Sequence, residues 1–340
     1  MAARDIEYVE LYASDRHKTV DYLVSSFGFT RIAESADSNK NSTLLRQGGV
    51  QLVVTAGPAT AEFLDIHGDG VADIAFSCDD VGATCAEVVA MGGIVLDSAE
   101  DKPVVSGFGS AGHTLLPVTV GGGHRLPPGR RWAMVPGVPS RPAGQITGLD
   151  HIATCFDRGE LAYATDFYRA AFGLDWYSSD RIEAVGQAVH SVGLRSRYGG
   201  ITLAMLEPGT PRNSGQLDSF LERNKGTGVW HLAFLVDAIV HTAGKFRRRG
   251  VGFLAVPDVY YDTLGERCPG MREEIADLRA AGVLADCDEW GYLLQLFTRP
   301  SYERNALCCE LIQRRGARRL GTAILQALHE APARGHLVAG

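Results

Sequence analysis

Three residues of this sequence could do chemistry together. His151 lies in Leu149-Asp150-His151-Ile152-Ala153, His231 in Val229-Trp230-His231-Leu232-Ala233-Phe234, and Glu310 in Cys308-Cys309-Glu310-Leu311-Ile312. Each sits in an apolar, strand-like run, where an unpaired carboxylate is costly to bury and therefore calls for a metal or another cation. Two histidines and one carboxylate leave about three coordination positions open on an octahedral ion, the arrangement that suits non-heme Fe(II) oxygenases. A histidine alone in an apolar strand reads as well as a hydrogen-bonded core residue. The case turns on whether the fold brings the three together.

The elements that must do so come from a repeat. In the first half an alternating strand from Ile6 is followed by a helix over His17 to Ser26 and strands at Thr43 to Arg46 and Val50 to Thr55. "GVADIAFSCDDV" (70–81) and a helix stopped by Gly92-Gly93 close that half. The second half repeats the order with "GLDHIATCF" (148–156), a helix over Leu161 to Leu174, strands at Ser191 to Arg195 and Ile201 to Leu206, "GVWHLAFLVDAI" (228–239) and a helix through Lys245 to Arg249. Two copies of a βαβββ unit, offset by roughly 145 to 160 residues, cover most of the chain, with the Pro/Gly-rich stretch Leu126 to Gly144 between them. Strands at Tyr292 to Pro300 and Leu307 to Gly316 and a last helix from about Gly321 to Glu330 follow. His151 stands where the first copy has Tyr8, and His231 where it has Asp73. Equivalent positions of a repeated fold face the same cavity, so the two histidines converge in the second copy, while a tyrosine and one carboxylate make the first a poor metal site.

Length and composition agree with two such units. The chain has 340 residues, 45% hydrophobic and 21% charged, with a net charge of −7 and a pI near 5.8. That balance argues against a nucleic-acid partner, and no apolar run is long enough to imply a membrane span. The start Met1-Ala2-Ala3-Arg4-Asp5 lacks a signal-peptide core, and the seven cysteines form no C-x-x-C pair, so a cytoplasmic location is expected. "GFGSAG" (107–112) runs into the strand-like "HTLLPV" rather than a helix, so it reads as a loop and not a dinucleotide site. The run Arg314, Arg315, Arg318, Arg319 reads as a solvated face or a helix cap.

At these residues the chain resembles the 4-hydroxyphenylpyruvate dioxygenase and 4-hydroxymandelate synthase family of the vicinal oxygen chelate superfamily. The resemblance spans nearly the whole length, through "LDHIA", "DFYRAAFGL", "GVWHLAFLVDAI", "FLAVPDVYYDTLGER", "GVLADCDEWGYLLQLFTRP" and "CCELIQRRGAR". It implies an α+β fold of two tandem vicinal-oxygen-chelate domains with open barrel-like sheets and a C-terminal helix over the active site. Residues 1–140 would form a structural domain without metal, and residues 146–335 a catalytic domain with Fe(II) on His151, His231 and Glu310. The strand Ala204-Met205-Leu206-Glu207-Pro208 has Leu206 where the dioxygenase branch carries asparagine. This looks like the mandelate synthase branch, as do "DIEYVELYASD", "VADIAFSCDDV" and "VSGFGSAGHTLLP". The sequence departs from the family at Cys308, usually aromatic, at Trp230, usually glutamine, and at Arg319-Leu320-Gly321 with Ile324 and Leu325 in the C-terminal motif.

The resemblance further implies an arylpyruvate substrate whose own 2-oxo acid group supplies the electrons, with O2 as co-substrate and no separate 2-oxoglutarate. Decarboxylation with benzylic hydroxylation would give a mandelate in specialised-metabolite biosynthesis; ring attack would give homogentisate. Ser191, Gln216 and Gln295 match family pocket residues, and Phe297 would pack on the substrate ring. Leu206, Cys308, Leu320, Ile324 and Leu325 would complete a more apolar and roomier pocket, with no separate acid or base. The expected partner is a small-molecule 2-oxo acid, with a homodimer left open. Proteins of this superfamily also serve as ligand-binding or resistance proteins, a reading without catalysis.

Overall fold

The computed structural model describes residues 2–98, 102–119, 124–184, 187–209, 215–299 and 308–321. The first sheet contains β1 (Ala3–Tyr12), β2 (Thr30–Ala36), β3 (Asn41–Gln47), β4 (Val50–Ala56), β5 (Gly70–Cys78), β6 (Val95–Asp97), β7 (Val104–Ser106), β8 (Gly112–Pro117) and β9 (Ala133–Met134). The second contains β10 (Ile146–Cys155), β11 (Leu174–Ala184), β12 (Gln187–Ser196), β13 (Thr202–Pro208), β14 (Gly228–Val236), β15 (Leu284–Asp288), β16 (Gly291–Phe297) and β17 (Cys308–Arg315). The spatial orders are β6-β7-β8-β5-β1-β4-β3-β2-β9 and β11-β12-β13-β10-β14-β17-β16-β15. In both, an antiparallel central seam (β1·β5, β10·β14) is flanked by parallel pairs (β1·β4 and β5·β8, β10·β13 and β14·β17). The fold is α+β, with two tandem sheets of the vicinal oxygen chelate type.

The unit of repetition is smaller than the sequence pattern suggests. Each half holds two βαβββ modules, β1 to β4 and β5 to β8 in the first, β10 to β13 and β14 to β17 in the second. The second modules escape notice because β6 and β7 have three residues each and because α7 (Asp258–Arg267) and α8 (Ile275–Ala281) interrupt the last one. The Pro/Gly-rich linker is also not wholly irregular, since β9 within it pairs with β2 at the sheet edge.

The remaining helices are α1 (Arg16–Tyr22), α2 (Ala61–His67), α3 (Val81–Ala90), α4 (Leu161–Phe172), α5 (Gln216–Asn224) and α6 (Ile239–Arg248). Asp15 caps α1 and Asp80 caps α3 by accepting the N–H of Lys18 and Ala83, so two orphan donors are satisfied by side chains. The halves share one apolar core. Phe27, just after α1, packs edge to face on Phe234 and Phe246 of the second half at 6.5 and 5.2 Å. In return Tyr168 on α4 reaches the first sheet, its hydroxyl 2.7 Å from His113 Nε2, while the His113 ring stacks on Phe76 at 4.4 Å. No helix among the described residues is long and apolar enough to cross a membrane. The expected helix at Gly321 to Glu330, with Ile324 and Leu325, lies outside the described residues.

Candidate metal centre

His151 on β10, His231 on β14 and Glu310 on β17 meet in the middle of the second sheet. The register explains it. Ala153 pairs with His231 and Ala233 with Glu310, so the three side chains rise from adjacent strands onto one face. The two Nε2 atoms are 3.3 Å apart, and Glu310 Oε2 lies 3.2 Å from His151 Nε2 and 3.1 Å from His231 Nε2. Three ligands at about 2.1 Å on one face of an octahedral ion are separated by roughly 3.0 Å, so the triangle has the dimensions of such a face.

The donor set also needs something to hold. Glu310 is fully buried, and its Oε2, although close to both rings, makes no aligned hydrogen bond. Burial pushes the Glu310 carboxyl up, but the two imidazoles outweigh it and hold the pKa at about 2. Burial opposes charge on His151 as well, yet the Glu310 and Asp150 carboxylates raise its pKa to about 9. Burial and the neighbouring His151 lower that of His231. The cluster therefore attracts positive charge at a common point, where a metal ion would take the place of the His151 Nε2 proton. These residues fit a divalent metal ion.

Two residues that the sequence reading did not assign to the site orient His151. Asp150 Oδ1 lies 2.8 Å from His151 Nδ1, and Arg314 donates to both oxygens of Asp150 at 2.6 and 2.8 Å. Arg314 and His151 hold Asp150 ionised against burial, so the carboxylate can only accept, and the proton of the neutral ring sits on Nδ1. That leaves Nε2 as the lone-pair atom turned to the centre. The reading of Arg314 as part of a solvated face is thereby corrected. It is half-buried and also bonds the carbonyls of Ala317 and Arg319, whereas Arg315 and Arg319 pair with Glu274 and Glu289 at the surface and Arg318 lies over Trp290. The available signal was parity: Arg314 is four residues beyond Glu310 on one strand, and an aspartate directly precedes His151.

The expected pocket residues fall into two groups. Gln295 and Phe297 touch the triad itself. Gln295 donates to Glu310 Oε1 at 2.7 Å and to the Leu320 carbonyl at 3.2 Å, leaving its own Oε1 without a hydrogen bond, and Phe297 meets the His231 ring edge to face at 5.4 Å. Leu206, Cys308 and Leu320 belong to one buried apolar cluster with Trp230, Leu217 and Phe220. Trp230 joins it through a register shift between Ala153 and Thr154, a bulge that lets adjacent residues face inward. Ser191 pairs with Leu206 across β12 and β13. Gln216 opens α5 and is half-buried there. Gly321 adopts φ of 82°, and a Cβ there would meet Leu293 and the Gln295 amide at 2.6 and 2.9 Å, so glycine lets the chain turn tightly over Gln295.

Known proteins resemble this chain along most of its length. Residues 1–116 match the family model described as hydroxyphenylpyruvate dioxygenase, N-terminal, and residues 148–284 that of the glyoxalase, bleomycin resistance protein and dioxygenase superfamily. A 4-hydroxyphenylpyruvate dioxygenase from Neurospora crassa is 31% identical over 289 residues, covering 79% of this chain and 70% of the relative. One from Yarrowia lipolytica is 27% identical over 96% of this chain and 91% of its own length. Among solved structures, a substituted 4-hydroxymandelate synthase from Streptomyces coelicolor superposes with a TM-score of 0.88 at 42% identity, covering 97% of this chain and 98% of that one.

Proposed function

The chain belongs to the 4-hydroxyphenylpyruvate dioxygenase and 4-hydroxymandelate synthase family, and from that premise we propose an Fe(II)-dependent dioxygenase that decarboxylates an arylpyruvate and hydroxylates its benzylic carbon. One oxygen atom of O2 enters the new carboxylate as CO2 leaves, and the other becomes the benzylic hydroxyl of a mandelate. The observation that carries this reading is the buried triangle of His151, His231 and Glu310, three donor atoms 3.1 to 3.3 Å apart.

His151, His231 and Glu310 would hold the ion, which when bound supplies the redox chemistry with O2. The protein's own contribution is orientation. Asp150 and Arg314 fix the His151 tautomer, and Gln295 occupies Glu310 Oε1 so that Oε2 faces the centre. Phe297, Trp230, Leu206, Cys308 and Leu320 give an apolar wall that excludes water and packs on an aryl group. Leu206 offers no hydrogen bond to hold a ring for attack, which supports benzylic hydroxylation, as does the 42% identity to a mandelate synthase. The names of the curated relatives favour the second reading, ring attack to homogentisate.

The test is anaerobic loading with Fe(II), then oxygen uptake and product mass spectrometry with 4-hydroxyphenylpyruvate, phenylpyruvate and indolepyruvate. A mandelate as main product is expected. Homogentisate would overturn the branch assignment, and no oxygen uptake with any of the three would overturn the enzymatic reading.

A further inference from the structure

The first half keeps an open cavity of about 530 Å³ where the second half has its His-His-Glu site. The correspondence is one of register. Tyr8 pairs with Ala75 as His151 pairs with Ala233, and Glu10 faces Asp73 as Ala153 faces His231. On the next strand Asp73 pairs with Gly112 and His231 with Cys308, which sets Thr114 in the place of Glu310. Ser42 faces Thr55 as Ser191 faces Leu206. Val104 pairs with Thr114 as Phe297 pairs with Glu310, so Lys102, two residues before Val104, corresponds to Gln295. Tyr8, Glu10, Asp73, Thr114, Ser42 and Lys102 all line the cavity.

Interiors close-pack, so a pocket without a use is expected to be filled by larger side chains. Here the trend runs the other way. Ala72 occupies the bulge position held by Trp230 in the second half, and Gly112 the position of Cys308, and both border the open space. The volume lies within the usual range of small-molecule sites, roughly 300 to 1,000 Å³.

The charges at the bottom show what is missing. Glu10 is matched by an ion pair with Arg130, which also donates to Ser42. Asp73 is buried and accepts from neutral donors, the Thr114 N–H at 2.8 Å, its hydroxyl at 2.7 Å and the Tyr8 hydroxyl. No cationic group among the described residues forms an ion pair with it. Burial and the Glu10 carboxylate raise its pKa to about 7, a cost that a bound cation would relieve. Around it the wall is aromatic: Tyr12 and Phe63 meet edge to face at 5.3 Å beside Tyr8. Lys40 and Lys102 also border the space.

We infer that this cavity is a second small-molecule site, for an aromatic primary amine whose ammonium group binds Asp73, and that an aromatic α-amino acid, with a carboxylate for Lys102, is its fullest match. Isothermal titration of the full-length protein with phenethylamine and with phenylalanine tests it. One equivalent of each is expected to bind. Asp73→Asn, which keeps the shape and removes the charge, should weaken both by about tenfold or more. Ala72→Trp, which copies the second half and fills the space, should abolish both. Lys102→Ala, a change at the rim, should weaken phenylalanine relative to phenethylamine, and Glu310→Ala in the other half should leave both unchanged. No binding of either ligand up to about 5 mM would overturn the proposal. So would binding that survives Asp73→Asn and Ala72→Trp but is lost in Glu310→Ala.

Discussion

The two halves of the molecule place three side chains at the same three points of the same sheet and treat them in opposite ways. In the first half Tyr8, Asp73 and Thr114 form a group in which Thr114 satisfies both oxygens of Asp73. In the second, His151, His231 and Glu310 bring lone pairs together and leave Glu310 Oε2 without an aligned donor. A cluster whose oxygens are hydrogen-bonded holds its own geometry even where a charge stays unmatched, whereas one with an orphaned acceptor persists only when the surrounding scaffold over-determines it. Here the scaffold is Asp150, Arg314 and Gln295, each bonded to a member of the triad or to its neighbour. The backbone register is therefore indifferent to chemistry, and the difference between the halves lies in three side chains and the groups that steady them.

The sharpest way to break this comparison is to count metal. Glu310→Ala should reduce bound iron from one equivalent per chain to near none by elemental analysis, with turnover abolished and the far-ultraviolet circular dichroism unchanged. Asp73→Asn should keep one equivalent. Two equivalents in the natural protein would mean that Tyr8, Asp73 and Thr114 also hold an ion, and the contrast between the halves would fail.

A second test addresses the seam between the halves. His113 of the first sheet is fully buried, and burial lowers its pKa to about 4 despite its bond to the Ile74 carbonyl. The folded state thus binds this proton more weakly than the unfolded chain. The stability that the neutral ring contributes is complete above about pH 6.5, falls as the pH drops from there, and is lost by about pH 4, some 3 kcal/mol in all. Comparing denaturant unfolding of the natural protein and His113→Phe from pH 7.5 to 4 isolates this contribution, since Asp73 titrates in both. Equal pH slopes would show that His113 is protonated in the fold.

The next effect is smaller. Asp150→Ala removes the acceptor that fixes the His151 tautomer and leaves Arg314 without its partner. Loss of such an outer partner typically costs about 10- to 100-fold in metal affinity. Competition with a chelator measures it, and an unchanged affinity would show that packing alone orients the ring.

Much of this was legible in the sequence, and the gaps have physical causes. Comparing "LDHIA" with the strand that contains Tyr8, and "VWHLAF" with the one that contains Asp73, was enough to single out His151 and His231, because strands of a repeat conserve which face is inward. Glu310 stood out because it lies between apolar neighbours. Thr114 could not be matched to it, since three-residue strands carry no readable period and the second module of each half is hidden. Arg314 was lost among arginines that do lie at the surface, as only the paired strand shows that it turns inward toward Asp150. The bulge at Trp230 likewise depends on pairing, and a one-residue slip reverses which side a residue faces.

The smallest expected effect concerns the wall of the pocket. Cys308 and Glu310 are two apart on β17, so both face the side of the triad, and Cys308 packs with Leu206, Leu320 and Trp230, its thiol 3.6 Å from the Trp230 carbonyl. Trp230 and Leu320 thus already fill part of the space that a smaller residue at 308 opens. Gly193 assists, since a Cβ there would meet Leu320 at 2.8 Å. The cluster is apolar apart from the indole and thiol groups and the partly buried Tyr177 packed at its edge, which suits an unsubstituted, alkylated or indole side chain better than a phenol. An apolar wall discriminates by about 1–3 kcal/mol per methylene-sized change, and with the space partly filled the low end of that range applies. Cys308→Phe should therefore shift kcat/KM between indolepyruvate and 4-hydroxyphenylpyruvate by about 1 kcal/mol, roughly fivefold, against the larger substrate. Ranking the arylpyruvates for both proteins measures the shift. If 4-hydroxyphenylpyruvate leads by a wide margin and Cys308→Phe leaves the order unchanged, residue 308 does not border the substrate and the wall is made by Trp230 and Leu320 alone.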